Sequence, residues 1–431
     1  MTEGASPDRS AWALDRPAPA RRTPLSGAHD VETVIVGGGV AGLSVALHLV
    51  ENGRPPLLLE GAAIGSGATG MSAGIVAPQL VRATPSAVLA KFGVPRGEAL
   101  LRLVSDSGRY LFDLATRHAI DCDQSAAGFL APATGHGALQ RLGELIGRWR
   151  PYRSDLALCG AAEVEALSGC RGYGAAILHQ TGGSIDPLLY ARGLAARAEA
   201  LGARIHEDTH VTAITREGRS WIVSTGAARV RAQQVVLAAN GGNGALHPAL
   251  TGTVLPLPVC EMSTEPLPPE MRAAILPFGH SLTDMEADVF SIRYTAGDRL
   301  VTAHPMSSRH SIGQIAEAVN RRLAATLVAY RPLRLEHVWH GTAWVNSNLL
   351  PRLVRPAEGV IAIQACNGRG LGINTIIGRE VARTLLDPGS SPDIGFETPR
   401  RISGFAFARH VPHLLMTAAL ASKAVRNLFT R

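Results

Sequence analysis

Residues 34–42 read VIVGGGVAG and lead from an apolar run into the glycine pattern G-x-G-x-x-G. The glycines of the pattern are Gly37, Gly39 and Gly42. Downstream, a second apolar run at residues 57–59 is followed by Glu60. This order predicts a strand, a tight turn, a helix and a second strand, the arrangement that holds the ADP half of a dinucleotide. An ordinary glycine-rich turn is the alternative, but it explains neither the flanking strands nor the acid.

Each part of this unit has its own physical role toward a dinucleotide. The first glycine permits the turn, the second lets the backbone approach the pyrophosphate, and the third lets the helix pack close to the strand. The helix that begins near Val40 directs unpaired N–H groups and its positive dipole end at the phosphates. Glu60 stands where an acid binds a ribose 2′-hydroxyl, which favours FAD or NAD over NADP.

The composition is that of a globular protein with more than one domain. The chain has 431 residues, of which 46% are hydrophobic and 18% charged, and this length exceeds what one hydrophobic core usually supports. The formal net charge of +7 comes almost entirely from arginines that are scattered along the chain. Because no basic stripe is visible, no nucleic-acid partner is expected.

Cysteine usage and hydropathy indicate a reducing compartment. Five cysteines are dispersed, odd in number and without a C-x-x-C pair, which argues against a disulfide framework and against a metal site. No run of about 18 uncharged apolar residues could span a bilayer. Residues 1–30 lack the apolar core of a secretory signal, and we interpret them as a flexible or loosely docked arm. We therefore expect a cytoplasmic protein.

Further elements follow from local signals. Residues 65–74 read GSGATGMSAG, a loop whose backbone can approach a ligand closely. Asp186 and Pro187 predict the N-cap and first position of a helix that runs to about residue 201. The predicted strands are residues 211–214, 221–225, 230–233, 235–239, 290–294, 299–303 and 360–364. Helices are predicted at about residues 315–330 and, after a second glycine turn at residues 367–372, at 373–386.

Taken in order, these elements resemble the D-amino-acid oxidase family of FAD-dependent amine oxidoreductases. The landmarks that the chain matches are residues 37–42 with Glu60, 67–70, 183–187, 235–240 and 368–372. Within the family the chain is most similar to the γ-glutamylputrescine oxidase and glycine oxidase branch. This finer likeness rests on PLSG at residues 24–27, STEPL at residues 263–267 and WHGT at residues 339–342.

The resemblance implies an α/β fold in two domains. One would be a Rossmann-like FAD-binding domain of the glutathione-reductase type, made of residues 31–115, 175–253 and 345–390. The other would be an α+β substrate domain built on an antiparallel sheet, made of residues 116–174 and 254–344. Residues 391–431 would form a basic amphipathic tail.

The resemblance also implies a reaction. Hydride would pass from the carbon beside the nitrogen of a small-molecule amine or amino acid to flavin N5, the imine would hydrolyse, and O2 would reoxidise the flavin. Noncovalent FAD is expected, because residues 344–351 contain no cysteine of the kind to which some relatives attach the cofactor. Cys366 stands beside the second glycine turn, where a small buried thiol is more common than a flavin link.

Cofactor contacts are carried over by matching position. The glycines of the first turn would meet the pyrophosphate, Glu60 the ADP ribose, and the backbone of Val211 the adenine. The helix N-terminus at residues 368–372 would line the flavin pyrimidine, where its N–H groups stabilise the negative charge of the reduced ring. The full predicted set is Gly37, Gly39, Val40, Ala41, Gly42, Glu60, Gly61, Ser66, Gly67, Thr69, Gly70, Met71, Ser72, Val211, Ala239, Asn240, Gly241, Gly368, Arg369, Gly370, Leu371, Gly372 and Asn374.

One pair of residues departs from the family pattern. Relatives commonly carry Arg-Asn directly after the second glycine loop, whereas this chain has Met71 and Ser72. The first position at the flavin edge therefore offers a thioether in place of a cation, which weakens any inference of substrate from relatives.

Four side chains are candidates for the chemistry: Arg369, His340, Arg293 and Tyr294. Hydride transfer from a neutral amine needs positioning and an electron sink more than a strong base. Arg369 is predicted to clamp a substrate carboxylate, with a structural or solvent-facing arginine as an equal alternative. His340 is a candidate for taking up the ammonium proton, although a core or capping histidine is more common. Tyr294 more often packs in its sheet.

Three other functions stay open. Residues 405–431 fit an amphipathic helix that docks on its own protein or, less favoured, anchors a dehydrogenase that passes electrons to a membrane quinone. The positive charge allows a flavoprotein acting on tRNA, which the scattered arginines disfavour. The last alternative is a flavin-binding subunit without turnover of its own.

Overall fold

Two large sheets organise the protein. The computed structural model describes residues 9–14, 19–286, 289–305, 311–364, 367–387, 389–415 and 418. The described strands are β1 (Gly27–Val36), β2 (Leu57–Leu59), β3 (Ile75–Val76), β4 (Phe129–Ala133), β5 (Leu156–Gly160), β6 (Ala175–His179), β7 (Gly183–Ser184), β8 (Arg204–His206), β9 (Val211–Glu217), β10 (Ser220–Thr225), β11 (Ala228–Leu237), β12 (Leu255–Pro266), β13 (Ser281–Thr283), β14 (Ser291–Tyr294), β15 (Arg299–Pro305), β16 (Leu335–Val345), β17 (Arg352–Ala357), β18 (Val360–Gln364) and β19 (Phe396–Glu397). The described helices are α1 (Ala11–Leu14), α2 (Val40–Glu51), α3 (Pro85–Phe92), α4 (Val94–Arg117), α5 (Ala138–Trp149), α6 (Ala161–Ser168), α7 (Pro187–Ala200), α8 (Asn243–Leu246), α9 (Pro269–Ala274), α10 (Ile312–Thr326), α11 (Gly370–Leu386) and α12 (Phe405–Ala408).

The first sheet carries both glycine turns. Its order is β19-β17-β18-β11-β1-β2-β8, and the antiparallel strands β10 and β9 continue from β11. The pairs from β8 through β2, β1 and β11 to β18 are all parallel. The carboxyl ends of these strands therefore meet at one edge, which is where open parallel sheets bind ligands. The apolar strands are buried on both faces, by α2, α4, α7 and α11 on one side and by a second apolar cluster with the β9–β10 hairpin on the other.

The second sheet has the order β16-β12-β15-β14-β13-β4-β6-β5 and is antiparallel except for the β13–β4 pair. Apolar side chains of one face pack against α10 in a core of their own. Its long strand β12, second from one edge, pairs with both β15 and β16. The predicted fold class, a Rossmann-like domain beside a domain built on an antiparallel sheet, is confirmed.

Local signals predicted several boundaries correctly. The Asp186 carboxylate accepts hydrogen bonds from the N–H groups of Leu188 and Leu189, both at 2.9 Å, and so caps α7 as expected. The hairpin around residues 296–298 forms between β14 and β15. Helix α10 ends at Thr326, however, four residues before the predicted end. The two strands expected at 230–233 and 235–239 are one continuous strand, β11.

The sheets also differ from the expected domain limits. Strand β6 belongs to the second sheet, although residues from 175 onward were expected in the FAD-binding domain. Strand β19, within the expected tail, pairs with β17 in the first sheet. Both differences have the same cause: strand pairing joins residues far apart in sequence, so local patterns do not reveal which sheet a short strand enters.

Residues 9–14 of the arm, which was expected to be flexible or loosely docked, pack against the rest of the chain. Trp12 is 4% exposed, and its indole N–H donates to the carbonyl of Ser72 at 2.9 Å. Its ring meets that of Trp339 edge-on, with centroids 6.0 Å apart. Buried aromatic area outweighs the low helix propensity of so short a segment. Residues 1–8 and 15–18 lie outside the described residues.

None of the helices in the described part of the chain combines the length and apolar composition needed to cross a bilayer.

Replacing the anchor of the arm tests its role in stability. We expect Trp12→Ala to lower the free energy of unfolding by about 3–5 kcal/mol, because it removes a buried indole and leaves a cavity. Chemical denaturation followed by far-UV circular dichroism measures the change. Phe407→Ala is the control, since that ring is 84% exposed and its loss should change stability by less than about 0.5 kcal/mol. Equal denaturation midpoints for the wild type and Trp12→Ala would show that the helix is not docked.

Candidate active site

A cavity of about 1090 Å³ lies between the carboxyl edge of the first sheet and one face of the second. This volume is at the upper end of what small-molecule sites occupy. Most of the residues predicted to hold the cofactor line it. They are Gly37, Gly39, Val40, Ala41, Glu60, Gly61, Ser66, Gly67, Thr69, Met71, Ser72, Val211, Ala239, Asn240, Gly368, Arg369, Gly370, Leu371 and Asn374.

The first glycine turn has the geometry that a pyrophosphate site needs. Gly37 has φ +114°, and a Cβ there would lie 2.8 Å from the backbone of Ala238. The N–H of Val40, at the start of α2, donates to Thr69 Oγ1 at 3.2 Å, so the second glycine-rich loop lies against the helix N-terminus. These backbone groups border the cavity without side chains that would block an approaching phosphate.

The carboxylate of Glu60 is oriented by the main chain. Its Oε2 accepts from the N–H of Gly38 at 2.7 Å, and its Oε1 accepts from the N–H of Ala62 at 2.8 Å. Glu60 lines the cavity at the end of β2, where a ribose hydroxyl would find a fixed acceptor.

Four predicted cofactor residues do not line the cavity: Gly42, Gly70, Gly241 and Gly372. Each lies against another part of the chain. A Cβ on Gly42 would be 2.1 Å from the carbonyl oxygen of Gly37, and one on Gly241 would be 2.1 Å from the ring of Trp344. Gly42 therefore permits close helix–strand packing and supports the turn from behind, as the third glycine of the pattern does.

The second glycine turn offers polar atoms that have no hydrogen-bond partner in the described part of the chain. Asn367 accepts from the N–H of Asn346 at 2.9 Å through Oδ1, whereas its Nδ2 has no hydrogen-bond partner among the described residues. The same holds for Oδ1 of Asn374 in α11. Both residues are cavity-lining. A buried donor and acceptor beside a helix N-terminus fit the N–H and C=O edge of a flavin pyrimidine.

Arg369 is the predicted catalytic residue that reaches the cavity. It is the N-cap residue of α11, its Nη1 lies 3.5 Å from Thr283 Oγ1, and its guanidinium is 5.6 Å from the ring centre of Phe129. Burial lowers its pKa to about 10, with Asp284 opposing the shift, so the side chain is charged at neutral pH. Its Nε has no hydrogen-bond partner among the described residues, which leaves a donor for a ligand.

Arg293 lies directly behind the cavity. It is 2% exposed, its Nε donates to the carbonyl of Ala73 at 2.8 Å, and its guanidinium stacks 4.5 Å from the ring centre of Trp12. Burial lowers its pKa to about 10, against the charges of Asp186, Asp123 and Glu261. Arg293 therefore holds the loop that carries Met71 and Ser72, and it does not itself line the cavity.

Tyr294 and His340 are also outside the cavity lining. The hydroxyl of Tyr294 donates to the carbonyl of Ile275 at 2.9 Å, and its ring stacks 4.0 Å from the guanidinium of Arg272. His340 is a half-buried residue of β16, opposite Cys260. The cavity lining therefore includes Arg369 and the glycine-rich loops but not the side chains of Tyr294 and His340.

Sequence reasoning missed Glu261, a cavity-lining carboxylate on β12. It is 7% exposed, and its Oε2 has no hydrogen-bond partner among the described residues. Burial raises its pKa to about 8, with Arg293 opposing the shift. A signal was present, because Glu261 interrupts the apolar alternation of Leu257 and Val259 on one face of a strand.

The chain end contributes to the rim of the cavity through Val411, Pro412 and Leu415. Cys366, considered above for its place beside the second glycine turn, lies outside the described residues, as do residues 416–417 and 419–431 of the predicted tail helix.

Substitution of a supporting glycine tests the cofactor turn. We expect Gly42→Ala to destabilise the protein by about 1–3 kcal/mol and to lower the amount of FAD retained, because the new Cβ pushes the carbonyl of Gly37 into the phosphate path. The ratio of flavin to protein absorbance after gel filtration measures retention. Gly226→Ala is the control, since a Cβ there meets nothing within 4 Å. Full FAD retention in Gly42→Ala would contradict this account of the turn.

Comparison with known proteins places these features in one family. Gamma-glutamylputrescine oxidoreductase of Escherichia coli (strain K12) is 26% identical over 394 residues, which cover 91% of this chain and 92% of that protein. The structure of glycine oxidase from Geobacillus kaustophilus matches with a TM-score of 0.73 at 20% identity, covering 87% of this chain and all of that one. L-proline dehydrogenase from P. horikoshii matches with a TM-score of 0.71 at 16% identity, covering 85% and 96%.

The family model described as DAO, FAD dependent oxidoreductase, matches residues 32–384. This range contains both glycine turns, the Glu60 carboxylate and the whole second sheet. The chain therefore belongs to the DAO family of FAD-dependent oxidoreductases.

Proposed function

We propose that the protein oxidises the C–N bond of a small-molecule amine or amino acid, with noncovalently bound FAD taking the electrons. The observation that carries the proposal is a single cavity that joins both glycine turns to one face of the second sheet. One relative that matches over nine tenths of its length is named for gamma-glutamylputrescine. A partial match, 31% identical over 221 residues, is a 4-methylaminobutanoate oxidase of Paenarthrobacter nicotinovorans.

When bound, FAD would accept a hydride from the carbon beside the amine nitrogen. The contribution of the chain is then to bind the substrate, orient that carbon and keep water away. The unpaired Nδ2 donor of Asn367 and the N-terminus of α11 would stabilise negative charge at the pyrimidine edge. This assignment follows from their position in the cavity lining.

Arg369 would orient the substrate. Its charge persists at neutral pH because the lowered pKa is still about 10. An unpaired donor on a buried guanidinium suits a carboxylate of the substrate, which can accept two parallel hydrogen bonds. The contact to Thr283 and the ring of Phe129 restrict the rotamers of Arg369, so less freedom is lost on binding.

The other candidates would act from outside the cavity. Arg293 would be a positioning residue, since it holds the carbonyl of Ala73 beside the cofactor loop. Tyr294 is engaged with Ile275 and Arg272, which supports a structural role. His340 stays a predicted proton acceptor that would need a path to the cavity through its neighbour Gly341.

The proposed reaction is tested by anaerobic bleaching of the flavin. FAD-loaded protein is mixed with a panel of amines, D- and L-amino acids, sarcosine and γ-glutamyl polyamines, and the loss of flavin absorbance is followed. Bleaching by at least one member supports the proposal. If the bound FAD is reduced by dithionite but by no amine of the panel, the proposed reaction is wrong.

Removing the Arg369 charge tests its role in substrate orientation. We expect Arg369→Met to raise KM for a carboxylate-bearing substrate by about 10- to 100-fold, the usual value of a charged hydrogen bond. An amine without a carboxylate should be affected much less. Arg355→Met is the control, because that guanidinium stacks on Phe396 away from the cavity. Equal losses for both substrate types, at equal FAD content, would contradict a carboxylate clamp.

We propose O2 as the final electron acceptor, with a membrane quinone as the second candidate. The exposed apolar side chains Phe407, Leu414 and Leu415 near the cavity rim favour the second candidate. Hydrogen peroxide formation in aerobic turnover would support O2. Vesicle binding together with quinone reduction, both lost on deletion of residues 405–431, would support the quinone instead.

We propose a cytoplasmic location. Cys122, Cys159, Cys170 and Cys260 are buried free thiols, and burial raises the pKa of Cys122 and of Cys170 to about 12. Unpaired cysteines are typical of a reducing compartment.

A further inference from the structure

Strand β12 presents an ionisable side chain in an otherwise apolar stretch of the cavity wall. Side chains alternate along a strand, and Leu257, Val259 and Glu261 line the cavity. The intervening residues Cys260 and Met262 pack in the core on the other face. The direction of the Glu261 side chain is therefore set by the register of a long strand that is paired on both sides.

The neighbours of Glu261 on the same sheet do not neutralise it. Ala303 on β15 and Trp339 on β16 stand opposite Glu261, and neither carries a charge. Oε2 of Glu261 has no hydrogen-bond partner among the described residues. His304 is a further titratable group in the cavity lining near this position.

Arg293 is the nearby cation, but its geometry directs it elsewhere. Its Nε donates to the carbonyl of Ala73, and the plane of its guanidinium stacks on the ring of Trp12. Its Nη2 has no hydrogen-bond partner among the described residues either, so that atom does not bond the Glu261 carboxylate. The charge of Arg293 lowers the pKa of Glu261, but burial outweighs this effect and raises the pKa to about 8.

A buried carboxyl group without a partner destabilises a folded protein. Such a group is typical of sites where a ligand supplies the missing partner. A hydrogen-bond donor on the cavity side of β12 would supply the partner that Oε2 lacks. A cationic donor fits best, because it also returns the carboxyl group to its charged form.

We propose that Glu261 is the specificity-determining residue that binds the ammonium group of the substrate. With Arg369 in the same cavity, the preferred substrate class carries both an ammonium and a carboxylate group, as free amino acids and γ-glutamyl amines do. This inference rests on the proposed function, because the ligand is a substrate only if the protein oxidises it. Binding of a cation at Glu261 does not itself depend on turnover.

The test uses a probe that binds without reacting. tert-Butylammonium has no hydrogen on the carbon beside its nitrogen, so it cannot be oxidised by hydride removal, and tert-butanol is its neutral counterpart of similar shape. Binding of each to the FAD-loaded protein is measured by perturbation of the flavin spectrum. We expect Glu261→Gln to weaken tert-butylammonium binding by about 10- to 100-fold and to leave tert-butanol binding unchanged.

Two further variants separate charge from structure. Glu261→Asp keeps the charge and should recover part of the selectivity for the cation. Glu265→Gln is the matched control on the same strand, because that carboxylate accepts from the N–H of Arg334 at 2.9 Å and lies outside the cavity. Glu265→Gln should change the affinity neither for tert-butylammonium nor for tert-butanol.

The outcomes distinguish this inference from the proposed function. Equal affinity of the wild type and Glu261→Gln for tert-butylammonium, or an equal loss for the cation and the alcohol, would overturn the role of Glu261. Selective loss for the cation supports it. A failure of every amine to reduce the flavin would count against the proposed function alone, since the spectral titration would still report cation binding.

Discussion

Three consecutive carbonyl groups hold the second glycine-rich loop, residues 65–74, against the second sheet and α1. The carbonyl oxygens of Met71, Ser72 and Ala73 accept from Trp339, Trp12 and Arg293 at 3.1, 2.9 and 2.8 Å. The donors come from β16, α1 and β14, which are remote in sequence. Because these carbonyl groups belong to half-buried residues, moving this segment would break three hydrogen bonds at partly buried positions. The distance between the glycine loop and the sheet, and so the width of the cavity, depends on these bonds.

The same arrangement explains why a buried arginine and a buried glutamate can be near each other without forming a pair. Arg293 stabilises the loop through its Nε, and its guanidinium stacks on the ring of Trp12. Oε2 of Glu261, a residue of the cavity lining, is therefore left without a hydrogen bond from Arg293 Nη2. An ion pair between Arg293 and Glu261 would stabilise both charges, but the carboxylate would then not be free to bind a substrate cation. The fold therefore keeps an unfavourable buried group where a ligand can satisfy it, as functional sites commonly do.

Much of the cavity lining around the two glycine turns could be predicted from the sequence, because its signals are local. Gly37, Gly39 and Glu60 lie within one strand–turn–helix–strand unit, and Asp186 caps the helix that it precedes. What the sequence did not show depends on long-range contacts. A four-residue helix has no propensity signal that would predict the docking of Trp12. Glu261 was missed because the face of β12 that borders the cavity follows from its pairing with two distant strands.

The substitution at position 71 gains a physical meaning from its neighbours. A Cβ on Gly341 would lie 3.0 Å from the Met71 side chain, and Gly341 pairs with Val259, two residues before Glu261 on the same face of β12. An arginine at this position would add a cation to the loop that faces Gly341 and Val259 in the second sheet. It could then pair with the carboxylate and occupy the place of a substrate ammonium. If Glu261 binds the substrate ammonium as proposed, methionine at position 71 adds no competing cation to this part of the cavity wall.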